Sequence, residues 1–194
     1  MKGCEMRPNK RDELVRKALE IFYRDGFNAT GMDRLVVETG VSKTSMYKHF
    51  RTKDDLILAA LRLRDENFRN WLFRECEHGA DTPEGQMLAM FDVLADWFAQ
   101  DGFRGCMFIK ASAEFQDKAH PINAQAAEHK RLLLGWLTGL AQQAGFAAPE
   151  QLAMQLLLLK EGAIVAAAML GADGPAREAK DAARLLLDNA PRSG

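Results

Sequence analysis

The sequence predicts an all-α protein of about nine helices, on three observations. Apolar residues recur every three or four positions along most of the chain, which is the spacing of one helix face. Proline, glycine and helix-capping residues interrupt this pattern at intervals typical of helix ends. No segment shows sustained alternation of apolar and polar residues with β-branched side chains, which a strand would require.

The first helix is predicted over residues 9–25, where Leu14, Ala18 and Phe22 form one apolar strip and Gly26 ends the helix. Residues 1–8 are predicted to form an arm, with Lys2 and Arg7 available to a nucleic-acid backbone. The first helix should therefore brace whatever follows it.

Two short helices follow, separated by a turn at residues 39–42. Thr30 is predicted to cap the first, with Asp33 three residues later as in a capping box. Gly40 suits the turn because glycine adopts positive φ without a steric penalty, and Ser42 can cap the second helix. This arrangement is typical of a helix-turn-helix.

The second short helix can be sorted by face. Met46 and Phe50 are four residues apart and apolar, so they should point inward and leave polar side chains outside. The predicted base-reading residues are Lys43, Thr44 and Ser45, and the predicted backbone contacts are Thr30, Tyr47, His49 and Lys53, with Lys48 on the same outer face. The alternative is an ordinary helix pair with a solvated polar face.

A longer helix should begin at once, since Thr52 and Asp55 form another capping box, and should run to about Glu77. It is long enough to leave the DNA-reading region and act as a mechanical connector. Thr82 and Pro83 then begin the next helix. Further helices are predicted over residues 105–115, 120–144, 149–171 and from 175 onward.

The charge distribution and the cysteine content narrow the possible classes of protein. Residues 1–56 carry 12 Lys or Arg against 9 Asp or Glu, giving +3, whereas residues 57–194 carry 14 against 18, giving −4. Three scattered cysteines exclude a disulfide framework and favour a cytoplasmic protein, and no metal-ligand spacing or membrane-spanning run is evident. Cys106 is interpreted as a buried small apolar residue, and the alternative is a redox sensor.

The run TGMDRLVVETGVSKTSMYKHFRTKDDLILAAL resembles the DNA-binding domain of the tetracycline-repressor family of one-component bacterial regulators. GCMFIKASAEF followed by HPINAQAAEHK resembles the ligand domain of one subgroup. The resemblance implies groove contacts from Lys43, Thr44 and Ser45 and backbone contacts from Tyr47, His49 and Lys53. Thr44 departs from the commonest form, in which glycine precedes the hydroxyl residue, and this substitution would alter the sequence read.

The resemblance also implies an operator in double-stranded DNA, a small organic effector, a homodimer and no cofactor. The predicted domains are a helix-turn-helix domain at residues 1–56 and a helical effector-binding and dimerisation domain at residues 57–194. The predicted ligand-binding residues are large or polar side chains of the middle helices: Trp71, Phe91, Phe98, Met107, Phe108, Lys110, Phe115, His129 and Trp136. The alternative is that these residues are plain core, which is the more frequent role of aromatic residues on helices.

The last two helices carry more apolar surface than one partner face needs, which favours a two-fold four-helix bundle. The predicted interface residues are Leu156, Leu157, Ile164, Ala182, Ala183 and Leu186. A fully internal helix is the alternative. Two other functions stay open: a helical dimer that binds ligands or proteins without regulating transcription, and a small α-helical enzyme, for which no nucleophile or phosphate-binding motif is found.

Overall fold

The structure, a computed structural model, describes residues 9–193. The predicted arm, with Lys2 and Arg7, and the first cysteine, Cys4, lie outside the described residues. Within them, nine helices follow one another along the chain, as predicted. They are α1 (Lys10–Asp25), α2 (Met32–Thr39), α3 (Lys43–His49), α4 (Lys53–Gly79), α5 (Pro83–Phe98), α6 (Met107–Glu114), α7 (Pro121–Gln143), α8 (Pro149–Leu170) and α9 (Pro175–Asn189).

The chain forms two compact units. The first takes the chain up to Glu66 together with Met107–Ala127, so that it contains α1 to α3, the start of α4, α6 and the start of α7. Its core is apolar, with Leu14, Phe22 and Leu35 fully buried. The predicted strip on α1 is therefore confirmed as a buried face, and α1 packs against α2.

The turn between α2 and α3 has the predicted chemistry. Gly40 adopts φ of 69°, in the left-handed region that favours glycine. The Ser42 hydroxyl accepts a hydrogen bond from the backbone N–H of Ser45 and so caps α3. Thr39 adds a contact that the sequence did not reveal, because its hydroxyl donates to Leu35 O at 2.6 Å and accepts from Val41 N.

The predicted cap of α2 is wrong. The N-cap residue is Gly31, which has no side chain with which to cap the helix. Thr30 is instead fully buried, and its hydroxyl donates to Gly26 O at 2.7 Å. The hydroxyl thus ties the end of α1 to the start of α2.

The caps of the longer helices agree with the sequence prediction. Thr52 and Asp55 exchange hydrogen bonds at the start of α4, as a capping box requires. The Thr82 hydroxyl accepts from Gly85 N, and Pro83 takes the first turn of α5. Local sequence therefore determines where both helices begin.

The second unit takes Asn67–Cys106 and the chain from Glu128 onward, with α5, α8, α9 and the remaining parts of α4 and α7. Helix α9 packs against both α5 and α8. The Lys180 ammonium on α9 binds both carboxylate oxygens of Asp92 on α5 at 2.6 and 2.7 Å. Among the described residues, the only β-pairing is an isolated antiparallel bridge between Phe146 and Arg192.

Helix α8 has the length and apolar composition of a membrane span, although no such run was predicted. The core helix of a soluble protein passes the same test, and α8 buries Leu152, Leu156 and Ile164 within the second unit. Its composition therefore fits a helix with apolar contacts on more than one side.

Candidate nucleic-acid interface

The short helix α3 presents a polar face to solvent. Met46, at 1% exposure, and Phe50, at 6%, lie in the core of the first unit. The intervening positions point outward, and the exposed residues of this face are Lys43, Thr44, Tyr47, Lys48 and His49. Six of the eight predicted DNA-binding residues thus lie on one helix of seven residues, and five of the six are exposed.

The start of α3 is held mainly by surface contacts. The Lys43 ammonium lies 3.1 Å from a carboxylate oxygen of Asp33, and both side chains are mostly exposed. An exposed ion pair of this kind contributes little stability, so Lys43 can exchange Asp33 for another acceptor. Ser45 is half-buried, and its backbone N–H is used by the cap on Ser42.

Two of the predicted backbone contacts have internal partners. The Lys53 ammonium donates to Phe27 O at 2.9 Å and to Thr30 O at 3.1 Å, and the Lys53 side chain is half-buried. Thr30 has no exposed surface. The side chains of Lys53 and Thr30 therefore organise the loop between α1 and α2 rather than stand on the exposed face.

A charge network that joins α1 to α2 was missed from the sequence. Arg24 binds Asp25 and Glu38, and Arg34 binds the same two carboxylates at 2.8 and 2.6 Å. Hydrogen bonds from Arg24 are the main reason that the pKa of Asp25 and of Glu38 is lowered. Only the spacing of Arg34 and Glu38, four residues apart on one helix, could have indicated any part of this network.

A second missed contact ties α1 to the turn. The Lys17 ammonium donates to Thr39 O at 2.9 Å, at the carboxyl end of α2. A cation at this position satisfies an end carbonyl and complements the helix dipole. With the network of Arg24 and Arg34, it fixes α2 on α1, and so fixes the platform from which α3 projects.

The nine predicted ligand-binding residues divide between the units. Met107, Phe108, Lys110 and Phe115 belong to the first unit, and the other five belong to the second. In the second unit, Trp71 lies in an aromatic cluster with Phe68 and Trp97, whose ring centroids are 5.2 to 6.4 Å apart. His129 is buried, with its ring 5.8 Å from that of Phe68.

The remaining predicted ligand residues have structural partners. Phe91 and Phe98 are buried on α5. Trp136 stacks on Phe73 with ring centroids 4.5 Å apart. Lys110 and Phe115 face α1 and the loop after it, where Lys110 donates to Tyr23 O and Phe115 meets Phe27.

A part-buried polar cluster in the second unit was not predicted as a whole. Glu161 accepts from Lys130 at 2.5 Å and from Lys160 at 2.9 Å, and Lys130 also lies 3.3 Å from Cys106 Sγ. Lys160 is 1% exposed, and its burial lowers the pKa of its ammonium. Burial alone would raise the pKa of Glu161, but Lys160 and Lys130 outweigh burial and lower it to about 2.

Most of the predicted interface residues lie in the interior of the second unit. Leu156, Leu157, Ile164 and Ala183 are buried within the second unit, and Ala182 and Leu186 are half-buried. The exposed apolar face lies at other positions, spaced four, seven and four residues apart on α8 with one addition from α9. Its members are Met154, Leu158, Val165, Met169 and Leu185.

An open groove of about 690 Å³ lies beside this face, with Leu158, Gly162 and Leu170 among its lining residues, and Leu158 belongs to both. Leu158 is 64% exposed and Met169 is 77% exposed. Contiguous exposed apolar surface of this kind marks an interaction site more often than an ordinary surface.

Sequence and structure comparisons agree on one class of protein. Residues 14–60 match the family model for bacterial regulatory proteins of the tetR family, and residues 83–183 match a tetracyclin repressor-like C-terminal domain. A crystal structure of a TetR-family transcriptional regulator from Streptomyces coelicolor superposes with a TM-score of 0.86 at 30% identity, covering 92% of this chain and 94% of that one.

Two curated relatives are more distant. The HTH-type transcriptional regulator YjdC of Escherichia coli is 22% identical over 155 residues, which span 80% of this chain and 81% of YjdC. The HTH-type transcriptional repressor NemR of the same species is 24% identical over 129 residues, spanning 66% of this chain and 65% of NemR. These relatives are transcription regulators, and none is an enzyme.

Proposed function

Since the chain belongs to the tetR family of bacterial regulatory proteins and is a DNA-binding transcriptional regulator, we propose that it is a repressor, that it binds its operator as a homodimer and that a small organic ligand releases it. We assign DNA binding to residues 1–56 and effector binding and dimerisation to residues 57–194. The protein then acts in the cytoplasm, where the DNA is.

The exposed face of α3 carries the proposal. Lys43 and Thr44, at the amino end of the helix, are assigned to base edges, because the first residues of a recognition helix reach furthest into the major groove. The Ser45 hydroxyl is also assigned to a base edge. Tyr47 and Lys48 lie one turn later and are assigned to phosphates.

His49 completes the phosphate contacts at the end of α3. Thr30 and Lys53 are assigned a supporting part, since their side chains hold the loop before α2. A phosphate near the start of α4 would instead meet backbone N–H groups, which helix amino ends offer to anions. Side-chain cations and backbone donors would then share the phosphate contacts.

The homodimer is supported by the exposed apolar face of α8 and α9. Two copies of this face would meet around a two-fold axis, with Leu158 and Val165 on facing helices. Gly162 would allow close approach of the helices, because it lies on the same side of α8. The interface is therefore proposed at Met154, Leu158, Val165, Met169 and Leu185, with Ala182 and Leu186 at its edge.

The effector is assigned to the second unit. The aromatic cluster around Phe68, Trp71 and Trp97 offers adaptable apolar contacts, and Lys130 and Glu161 offer charged groups that remain partly exposed. A ligand there releases DNA only if it prefers the arrangement of the dimer that fits the operator poorly. Ligand and operator must then weaken each other by the same factor.

Selection of bound duplexes from a random pool tests this proposal. A homodimer with two equivalent recognition helices should enrich an inverted repeat whose half-site centres lie about 34 to 36 Å apart, or a multiple of that distance. Enrichment of a single unrepeated site would refute the dimeric mode of binding. Absence of enrichment over the starting pool would refute sequence-specific recognition.

A further inference from the structure

We propose that Lys110 and Glu114 of α6 are positioning residues for DNA recognition, which they control by holding the loop that leads into the helix-turn-helix. The inference rests on the proposed dimeric operator binding. Lys110 and Glu114 are four residues apart, so they lie on the same face of α6. Neither residue lies within the DNA-reading region indicated by the sequence.

The Glu114 carboxylate binds the loop directly. One oxygen accepts from Phe27 N at 3.0 Å and the other from Asn28 N at 2.5 Å. Hydrogen bonds from backbone N–H to a carboxylate are charge-assisted and are stronger than neutral ones. One side chain of α6 therefore satisfies two consecutive donors that follow the end of α1.

Lys110 binds one turn earlier on the same face. Its ammonium donates to Tyr23 O at 3.1 Å and lies 5.2 Å from the centroid of the Tyr23 ring. Tyr23 is in the last turn of α1, where carbonyls lack helical partners. Lys110 thus binds a carbonyl at the end of α1, and Glu114 binds the N–H groups of the loop after it.

The loop backbone is shaped for this contact. Gly26 adopts φ of 87°, and a Cβ built there would come within 3.0 Å of Glu114 Oε1. Both the positive φ and the close approach require glycine. From the other side, Lys53 of α4 binds Phe27 O and Thr30 O, so the loop is held between α6 and α4.

This arrangement gives α6 a means of acting on DNA binding. The chain crosses between the two compact units within α4, immediately before α6 and within α7. Of these crossings, the one before α6 leads within eight residues to the Glu114 carboxylate that holds the loop. A change in the second unit that shifts the start of α6 would consequently move the loop and tilt α2 and α3.

The test uses full-length Glu114→Gln, which keeps the size of the side chain but removes its charge and turns one oxygen into a donor. Glu20→Gln, on the exposed side of α1, is the matched control. Operator binding is titrated on a series of duplexes in which the half-site spacing is varied by one or two base pairs, and on a single half-site. Lys110→Met is measured in parallel, so that the test does not depend on the folding of one variant.

Mispositioned recognition helices should bind the optimal spacing about tenfold more weakly, because the two half-sites are no longer engaged together in register. The single half-site should be bound almost as before, and the preference among spacings should broaden or move. Glu20→Gln should match the wild type.

An unchanged spacing profile in both α6 variants, or an equal loss on every duplex including the half-site, would overturn the positioning role. A wild type without any spacing preference would instead overturn the proposed dimeric operator binding. The two failures are thus distinguishable.

Discussion

Lys48, near the end of α3, and Lys53, at the start of α4, are expected to respond differently to the same substitution. Lys53 and Lys48 are both cations near the proposed DNA surface, but Lys53 donates to Phe27 O and Thr30 O, whereas Lys48 is exposed on α3. Lys53→Met should therefore destabilise the fold, and Lys48→Met should weaken DNA binding with little effect on the fold.

The size of the first effect follows from the two lost hydrogen bonds. Bonds from a charged donor contribute about 1.5–3 kcal/mol each, but the loop is only part-buried and water can reach its carbonyls, so we expect about 2 kcal/mol in total. For a chain of this length that corresponds to a decrease in Tm of about 4–8 °C. Lys48→Met should leave Tm within about 2 °C.

The second effect is measured as salt dependence. Loss of one phosphate contact should reduce the slope of log affinity against log salt by about one unit, which is the expectation for Lys48→Met. Lys53→Met should retain the wild-type slope under conditions in which it is folded. A Lys53→Met protein with wild-type Tm and a slope reduced by one unit would show that its ammonium contacts phosphate and does not hold the loop.

Three further outcomes follow from the interface, the buried cluster and the recognition helix. Leu158→Glu should sediment as a monomer and lose operator affinity, because a second copy would bury its charge. Val37→Glu, at a still more exposed position on α2, should remain dimeric, and a dimeric Leu158→Glu would refute the interface. Because the pKa of Glu161 in the folded protein lies below its unfolded value, its stabilisation is present above about pH 4.3 and is lost as pH falls toward 2. In denaturant titrations over this range, the free energy of unfolding of the wild type should fall by on the order of 3 kcal/mol more than that of Glu161→Gln. Equal falls in the two proteins would contradict the ion cluster. Thr44→Ala should change the preferred base at one position per half-site by about 1–3 kcal/mol in competition titrations, and a uniform loss on all sequences would reassign Thr44 to the backbone.

The helix boundaries could be predicted because their causes are local. Ser42, the pair of Thr52 and Asp55, and Thr82 each act on a residue three positions away, so the short window that contains them also contains their effect. The inward faces of α1 and α3 were equally readable, since each has one apolar strip. The exposed polar face of α3 follows directly from the choice of inward face.

The supporting contacts could not be predicted because their partners are distant in sequence. Lys53 meets carbonyls 26 and 23 residues away, and Glu114 meets N–H groups 87 and 86 residues away. Nothing in the local pattern distinguishes such a cation or carboxylate from a solvated one. The predicted phosphate role of Thr30 rested on its place near the amino end of α2, and that of Lys53 on the family resemblance. Neither prediction drew on these partners.

The rotation of α8 was unreadable for a different reason. Four consecutive leucines, at positions 156 to 159, place apolar side chains all round the helix. Periodicity then does not indicate which face packs within the chain and which remains exposed. The structure resolves this, since Leu156 and Leu157 are buried and Leu158 is 64% exposed.

Binding of the selected operator to wild type and to a variant with Lys43→Ala, Thr44→Ala and Tyr47→Ala tests most directly whether the exposed face of α3 reads DNA. These three side chains are exposed, and the buried Met46 and Phe50 are unchanged, so the variant should unfold at the wild-type denaturant concentration. We predict that in an anisotropy titration its affinity for the operator falls to that for random duplex. Operator affinity equal to that of the wild type, in a variant that is equally stable, would contradict the assignment of DNA recognition to α3.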